Sequence, residues 1–95
     1  MIQKKLKIGV IGAGHLGKYH INHLSSHSDI YFVGFFDSDA ENAKAVAKKF
    51  SVKSFESIDE LIQEADAVHI VTPTTFHHEI AIKCLNENKD IFIEK

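Results

Sequence analysis

Two features of this sequence could do chemistry: a glycine-rich turn, Gly12-Ala13-Gly14-His15-Leu16-Gly17, and an acid, Asp37, twenty positions beyond its last glycine. The turn has the spacing G-x-G-x-x-G, in which each glycine has its own task. Gly12 permits a tight exit from a strand, Gly14 lacks the Cβ that would hold a diphosphate off the backbone, and Gly17 lets a helix lie close to a sheet. Amides at the start of that helix then meet the anion, helped by a helix dipole equivalent to about half a positive charge. Asp37 suits the other end of such a ligand, because a carboxylate accepts hydrogen bonds from both hydroxyls of an adenosine ribose. Charge-assisted bonds of this kind are worth about 1.5–3 kcal/mol each. Ser38 beside it belongs to the same candidate loop, and with Asp39 is a candidate cap for the next helix. A 2′-phosphate at this point would meet like charge, and the chain has no arginine to receive it. NAD is therefore expected over NADP, with Lys44, well along the second helical stretch, the one cation left open as a phosphate ligand. Turn and acid alone leave S-adenosylmethionine methyltransferases open, since these combine the same two features.

The motif carries meaning only where it leaves a strand and opens a helix. Leu6 to Ile11 supplies the strand, apolar at nearly every position as a strand buried on both faces should be. Gly14 to Ser26 supplies the helix, with Leu16, Tyr19 or His20, Ile21 and Leu24 at helical spacing. Ile30 to Phe36 reads as a second buried strand. Ala40 to Phe50 repeats Ala43, Val46, Ala47 and Phe50 at a period of 3.6. Val52 to Phe55 is expected as a short third strand. Ser57 and Glu60 form a capping box that opens a helix through Glu64. Ala67 to Val71 is the fourth strand, ended by Thr72 and Pro73. Thr74 or Thr75 caps a last helix reaching Asn88, with Ile80, Ala81, Cys84 and Leu85 inward, and Ile91 to Ile93 is the fifth strand. Strands alternating with helices predict the α/β class: a three-layer, doubly wound Rossmann sheet in the order 3-2-1-4-5, one dinucleotide-binding domain over residues 1–95. A sheet that ends on an uncovered fifth strand leads to the expectation of a longer protein, with a substrate domain following this chain.

Composition bounds the reading. Eleven lysines against 13 acidic residues give a net charge of -2, so no field of either sign marks a nucleic-acid binder. Hydrophobic residues at 44% and charged residues at 25% are the balance of an ordinary soluble domain. The single cysteine, Cys84, excludes an internal disulfide and fits a reducing compartment. The apolar run Ile8 to Ala13 is too short and glycine-broken for a signal peptide, and nothing approaches the roughly 20 apolar residues of a membrane span, so a cytoplasmic address without a membrane partner is expected. His20, His23 and His27 fall at i, i+3 and i+7 and could meet zinc, but no cysteine or carboxylate converges on them in sequence. They read as a solvated helix face, and no metal is expected. His69 reads as a packed strand histidine, His78 carries no role, and Cys84 reads as a small core residue. His15 either borders the diphosphate or is a plain loop residue.

Three further segments separate the readings. Gly17-Lys18-Tyr19-His20, then Thr72-Pro73 with His77, then Glu94-Lys95 resemble the G-x-x-H, T-P-x-x-x-H and E-K-P signatures of the glucose-fructose oxidoreductase and inositol dehydrogenase family (Gfo/Idh/MocA). Gly34 sits where the family's second strand often has a glycine, and the whole chain is similar to the family's N-terminal half. The resemblance implies an NAD-dependent oxidoreductase, in which hydride passes between nicotinamide and a secondary hydroxyl of a small-molecule sugar, cyclitol or derivative, usually in a homo-oligomer. It implies that Lys95 contacts the reacting hydroxyl, where an ammonium would stabilise developing alkoxide charge. It further implies that Glu94 shapes the cofactor pocket and that Thr72, Pro73 and His77 border it. The chain stops before the proline of E-K-P and before the family's downstream aspartate and histidine, so by itself it is expected to hold cofactor without turnover. The alternative is a regulatory NAD-sensing module, which has no need of a lysine after strand five.

Overall fold

Leu6–Ile11 forms strand β1, and its apolar run follows from its place at the centre of the sheet, where both edges are paired and both faces are covered. The structure is a computed structural model that describes residues 5–72 and 74–93, with residues 74–77 described by their backbone alone. The other elements are α1 (His15–Ser25), β2 (Ile30–Phe36), α2 (Ala40–Phe50), α3 (Ile58–Glu64), β3 (Ala67–Ile70), α4 (Thr74–Asn86) and β4 (Asp90–Ile93). The strands form one parallel sheet in the order β2-β1-β3-β4.

Successive side chains of β1 point to opposite faces and meet different helices. Ile8 and Val10 pack with Ile21 and Leu24 of α1 and Val46 of α2. On the other face Ile11 packs with Leu61 and Ile62 of α3 and with Ile80 and Cys84 of α4. The sheet is therefore wound on both faces, as the alternation of elements predicts. Burying one of these large aliphatic side chains contributes about 1.5–3 kcal/mol, so the two clusters together hold the helices in place.

Pairing of β1 with β2 shifts register between Ile8 and Gly9, where Phe32 is followed by Gly34 as partner and Val33 is the extra residue. This bulge lets Phe32 and Phe35 both serve the α1/α2 face while Val33 and Phe36 serve the other. Gly34 takes φ +143° there, and a Cβ on it would press on Lys53 O and the Phe55 ring.

The expected third strand is not formed. Val52 to Phe55 contributes a single parallel bridge, Phe35 to Ser54, held by Phe35 N–H donating to Lys53 O (3.0 Å) and Phe55 N–H donating to Phe35 O (2.8 Å). The reason is length. Ser51 turns left-handed at φ 55° to end α2, Val52 N–H bonds back to Ala47 O, and Ser57 already caps α3, so only three or so residues remain for pairing. The predicted order 3-2-1-4-5 thus becomes a four-strand sheet flanked by one bridge. Element ends also differ: β3 stops at Ile70, and α4 stops at Asn86 because Asn88 turns left-handed at φ 58° and Lys89 N–H closes onto Cys84 O. β4 is an edge strand with Phe92 58% and Ile93 48% exposed. No helix among the described residues is long and apolar enough to cross a membrane.

Candidate functional site

The chain leaves β1 through α1 to reach β2 on one side, and later returns to β3 on the other side of β1. The connections after β1 and β3 therefore diverge at the carboxyl ends of the strands and open a crevice. Register pairs Ile11 with both Phe36 and Ile70, so three strands end level with one another. The cavity above them measures about 570 Å³, within the range of small-molecule sites. Its walls include Gly12, Ala13 and Gly14 after β1, Asp37 and Ser38 after β2, and Thr72 after β3.

The glycine turn is built as its spacing requires. Gly12 takes φ +104°, its N–H donates to Phe36 O at 2.7 Å, and a Cβ on it would stand 2.7 Å from Val71 O. Gly17 is buried in α1, where a Cβ would strike Gly12 O, so the helix lies directly on the turn. Gly14 differs from both. It is exposed, and a Cβ on it would meet no protein atom within 4 Å. Protein packing therefore does not demand a glycine at this position, and the backbone there is open to approach. Gly14 is also the N-cap of α1, which has no side-chain cap and no acid in its first turn. Among the described residues no side chain caps its first amides, which leaves beside the crevice a donor set that an anionic phosphate group fits.

Asp37 is half-buried at the end of β2. Asn42 Nδ2 donates to Asp37 Oδ2 at 2.6 Å and to Ala13 O at 2.8 Å, tying the acid to the glycine turn. The sequence reading missed Asn42, since only the docking of α2 beside the turn brings it there. It also missed Ile58 of α3 and Glu79 and Lys83 of α4, which line the cleft opposite the turn with Ile80. The i, i+4 pair Glu79 and Lys83 around inward-facing Ile80 was a signal for them. Lys83 Nζ lies 3.3 Å from Asp59 Oδ1, a solvent-exposed pair that links α4 to α3 and contributes at most about 1 kcal/mol.

Of the sequence-predicted residues, Gly12, Ala13, Gly14, Asp37, Ser38 and Thr72 meet in this cleft. Exposed His15, half-buried Leu16 and buried Gly17 do not line it. Pro73, Glu94 and Lys95 lie outside the described residues, as does the side chain of His77 on α4. His20 of α1 and His69 of β3 pack ring to ring at 4.2 Å, with Phe92 5.8 Å from His69, on the α1 face of the sheet. His23 and His27 are exposed, their rings 6.2 Å apart. Among the described residues no three His, Cys, Asp or Glu are grouped to hold a metal ion. Cys84 is fully buried, and burial pushes its thiol pKa up, away from the reactive thiolate.

Residues 6–95 match the oxidoreductase family with an NAD-binding Rossmann fold, Gfo/Idh/MocA. The chain is 37% identical to glucose-6-phosphate 3-dehydrogenase of Bacillus subtilis, over 94% of this chain and 25% of that protein. It is 40% identical to UDP-N-acetylglucosamine 3-dehydrogenase of Acidithiobacillus ferrooxidans, over 95% of this chain and 28% of that protein. The solved structure of the latter superposes with a TM-score of 0.87 at 39% identity, covering 98% of this chain and 30% of that one. A dehydrogenase from Bordetella pertussis, solved in complex with NADH and UDP-GlcNAcA, superposes with a TM-score of 0.83 at 26% identity, over 97% of this chain and 29% of that one. The chain therefore spans between a quarter and a third of the length of these relatives, less than the half its motifs suggest.

Proposed function

The chain belongs to the Gfo/Idh/MocA oxidoreductase family, and from that premise we propose that it is the NAD-holding part of a dehydrogenase acting on a secondary hydroxyl of a sugar, cyclitol or derivative. One observation carries the reading: a glycine turn whose exposed Gly14 is needed by no protein contact shares a single cleft with Asp37. The turn amides and the α1 N-terminus bind the diphosphate, and Asp37 binds the adenosine ribose. Ile58 and Ile80 offer an apolar wall suited to the face of a purine.

Preference for NAD over NADP is supported at the next helix as well as by Asp37. A 2′-phosphate beside the ribose would look for the amides at the start of α2. Those of Glu41 and Asn42 already donate to Asp39 Oδ1, both at 3.1 Å. Two carboxylates thus stand where the extra phosphate would need cations.

When bound, the nicotinamide supplies the group that accepts or donates hydride. Lys95 is proposed to hold the reacting hydroxyl and stabilise its developing charge, with Glu94, Pro73 and His77 at the pocket, on the strength of their family motifs. A cytoplasmic homo-oligomer is the proposed working form.

Calorimetric titration of the chain tests this. NAD should saturate one site, NADP should bind roughly tenfold or more weakly, and S-adenosylmethionine should give no heat. A flat NAD titration, or saturation by S-adenosylmethionine, overturns the reading. In the protein that carries this domain, Lys95→Ala should abolish turnover and leave NAD affinity within about threefold; unchanged turnover would remove Lys95 from its role.

A further inference from the structure

We propose that Asn42 is a positioning residue that couples the two halves of the cofactor site, presenting Asp37 to the ribose while locking the glycine turn in place. The inference rests on the NAD reading above and adds to it a residue that neither the glycine pattern nor the acid contains.

Asn42 is the third residue of α2, in a first turn fixed by Asp39, whose Oδ1 accepts the backbone N–H groups of Glu41 and Asn42. At this position in a capping box, the side chain turns back onto its own helix. Asn42 turns away instead. A side-chain amide nitrogen has two protons to donate, and both are used: one on Asp37 Oδ2 at 2.6 Å, the other on Ala13 O at 2.8 Å. The turn after β1 and the connection from β2 to α2, 29 residues further on, meet on one nitrogen.

The chemistry of the two acceptors gives the clasp its purpose. A carboxylate free to rotate would present its oxygens to the ribose in many orientations. With Oδ2 held by Asn42, the plane of the group is set and Oδ1 is available to the hydroxyls. Ala13 sits between the two turn glycines that flank the diphosphate position. Its carbonyl is drawn toward Asn42, and a carbonyl aimed at the diphosphate would repel it. Asn42 is half-buried, so water competes less for these bonds than it would at an exposed site. One amide therefore keeps the acceptor end and the donor end of the site in register.

A double-mutant cycle on the full chain, read by NAD titration, separates this from a plain structural staple. Asn42→Ala should weaken NAD about tenfold and Asp37→Ala about a hundredfold, with the double variant about three-hundredfold weaker than wild type, short of the roughly thousandfold of independent effects because only the turn contribution of Asn42 survives without the acid. The same Asn42→Ala change should weaken an NAD analogue lacking both adenosine ribose hydroxyls by only about threefold, the part of its effect that passes through the glycine turn. Wild-type affinity in Asn42→Ala, fully multiplied effects in the double variant, or equal losses for NAD and the analogue would each overturn the proposal. Should Asn42→Ala fail to fold by circular dichroism, near-isosteric Asn42→Asp carries the test: it sets a second carboxylate against Asp37 and should weaken NAD more than tenfold, whereas unchanged affinity overturns the proposal. A wild-type chain that binds no NAD would sink the parent reading. Normal wild-type binding beside an unaffected Asn42 variant sinks this inference alone.

Discussion

The starts of α1 and α2 lie beside one cleft, linked through Asn42 and Ala13 O, and are finished in opposite ways. Asp39 closes α2 by accepting two backbone N–H groups on its carboxylate, while α1 begins at Gly14, which has no side chain to give. A residue such as serine, aspartate or asparagine at an N-cap stabilises a helix by about 1 kcal/mol relative to alanine, and that stabilisation is forgone at α1. Helix α3, capped by Ser57 Oγ on Glu60 N–H at 3.2 Å, follows the pattern of α2. The difference separates amides used to hold the fold from amides left uncapped, the ones proposed to meet an anion.

Exchanging the two endings breaks the comparison most directly. Gly14→Asp places an α2-type cap on α1 where space is open, so thermal stability should hold or rise slightly, yet NAD affinity should fall by about a hundredfold or more as carboxylate meets diphosphate. Retained affinity would show that the amides of α1 are not the phosphate donors. The reverse change is milder. Asp39→Ala should cost about 0.5–2 kcal/mol in denaturant unfolding while NAD affinity stays within about threefold. A loss of binding as large as that of Gly14→Asp would mean that the two helix starts do not differ in kind. The smallest effect sharpens the contrast between wet cleft and dry core. Burial raises the pKa of Cys84 above its ordinary 9.0, so near that pH the folded chain keeps a proton that the unfolded chain releases. Stability present below pH 9.0 should therefore decline as pH rises through it, and Cys84→Ala should flatten this alkaline slope in unfolding titrations. An unchanged slope would locate the alkaline sensitivity elsewhere.

Much of the cleft was legible in the sequence because its parts lie in short, local patterns. β1, β2 and α2 have the bounds that periodicity predicts, and the glycines and Asp37 stand at strand ends, which fixes where they emerge. Asn42 was not legible. Its role depends on the distance between the first turn of α2 and the turn after β1, set by Ala43 and Val46 packing against the sheet, and no local pattern encodes that. Val52 to Phe55 misled for a related reason. Its β-rich composition serves burial, with Phe55 4% exposed, while the αL turn before it and the cap after it leave too little length to pair. Glu79 and Lys83 look like an ordinary charged helix face until α4 is seen to wall the crevice.

The additional residue in β2 can be lost without moving what lies beyond it. Deleting Val33 would leave Phe32 and Gly34 as neighbours opposite Ile8 and Gly9, so Phe35, Phe36 and the acid would keep their register and their faces while one buried side chain is lost. Deleting a paired residue such as Phe35 would instead draw the strand's end back by about 3.3 Å and turn each side chain after it to the reverse side. The paired stretch from Gly34 to Phe36 therefore tolerates changes of letter far better than changes of count, and its length sets where Asp37 emerges.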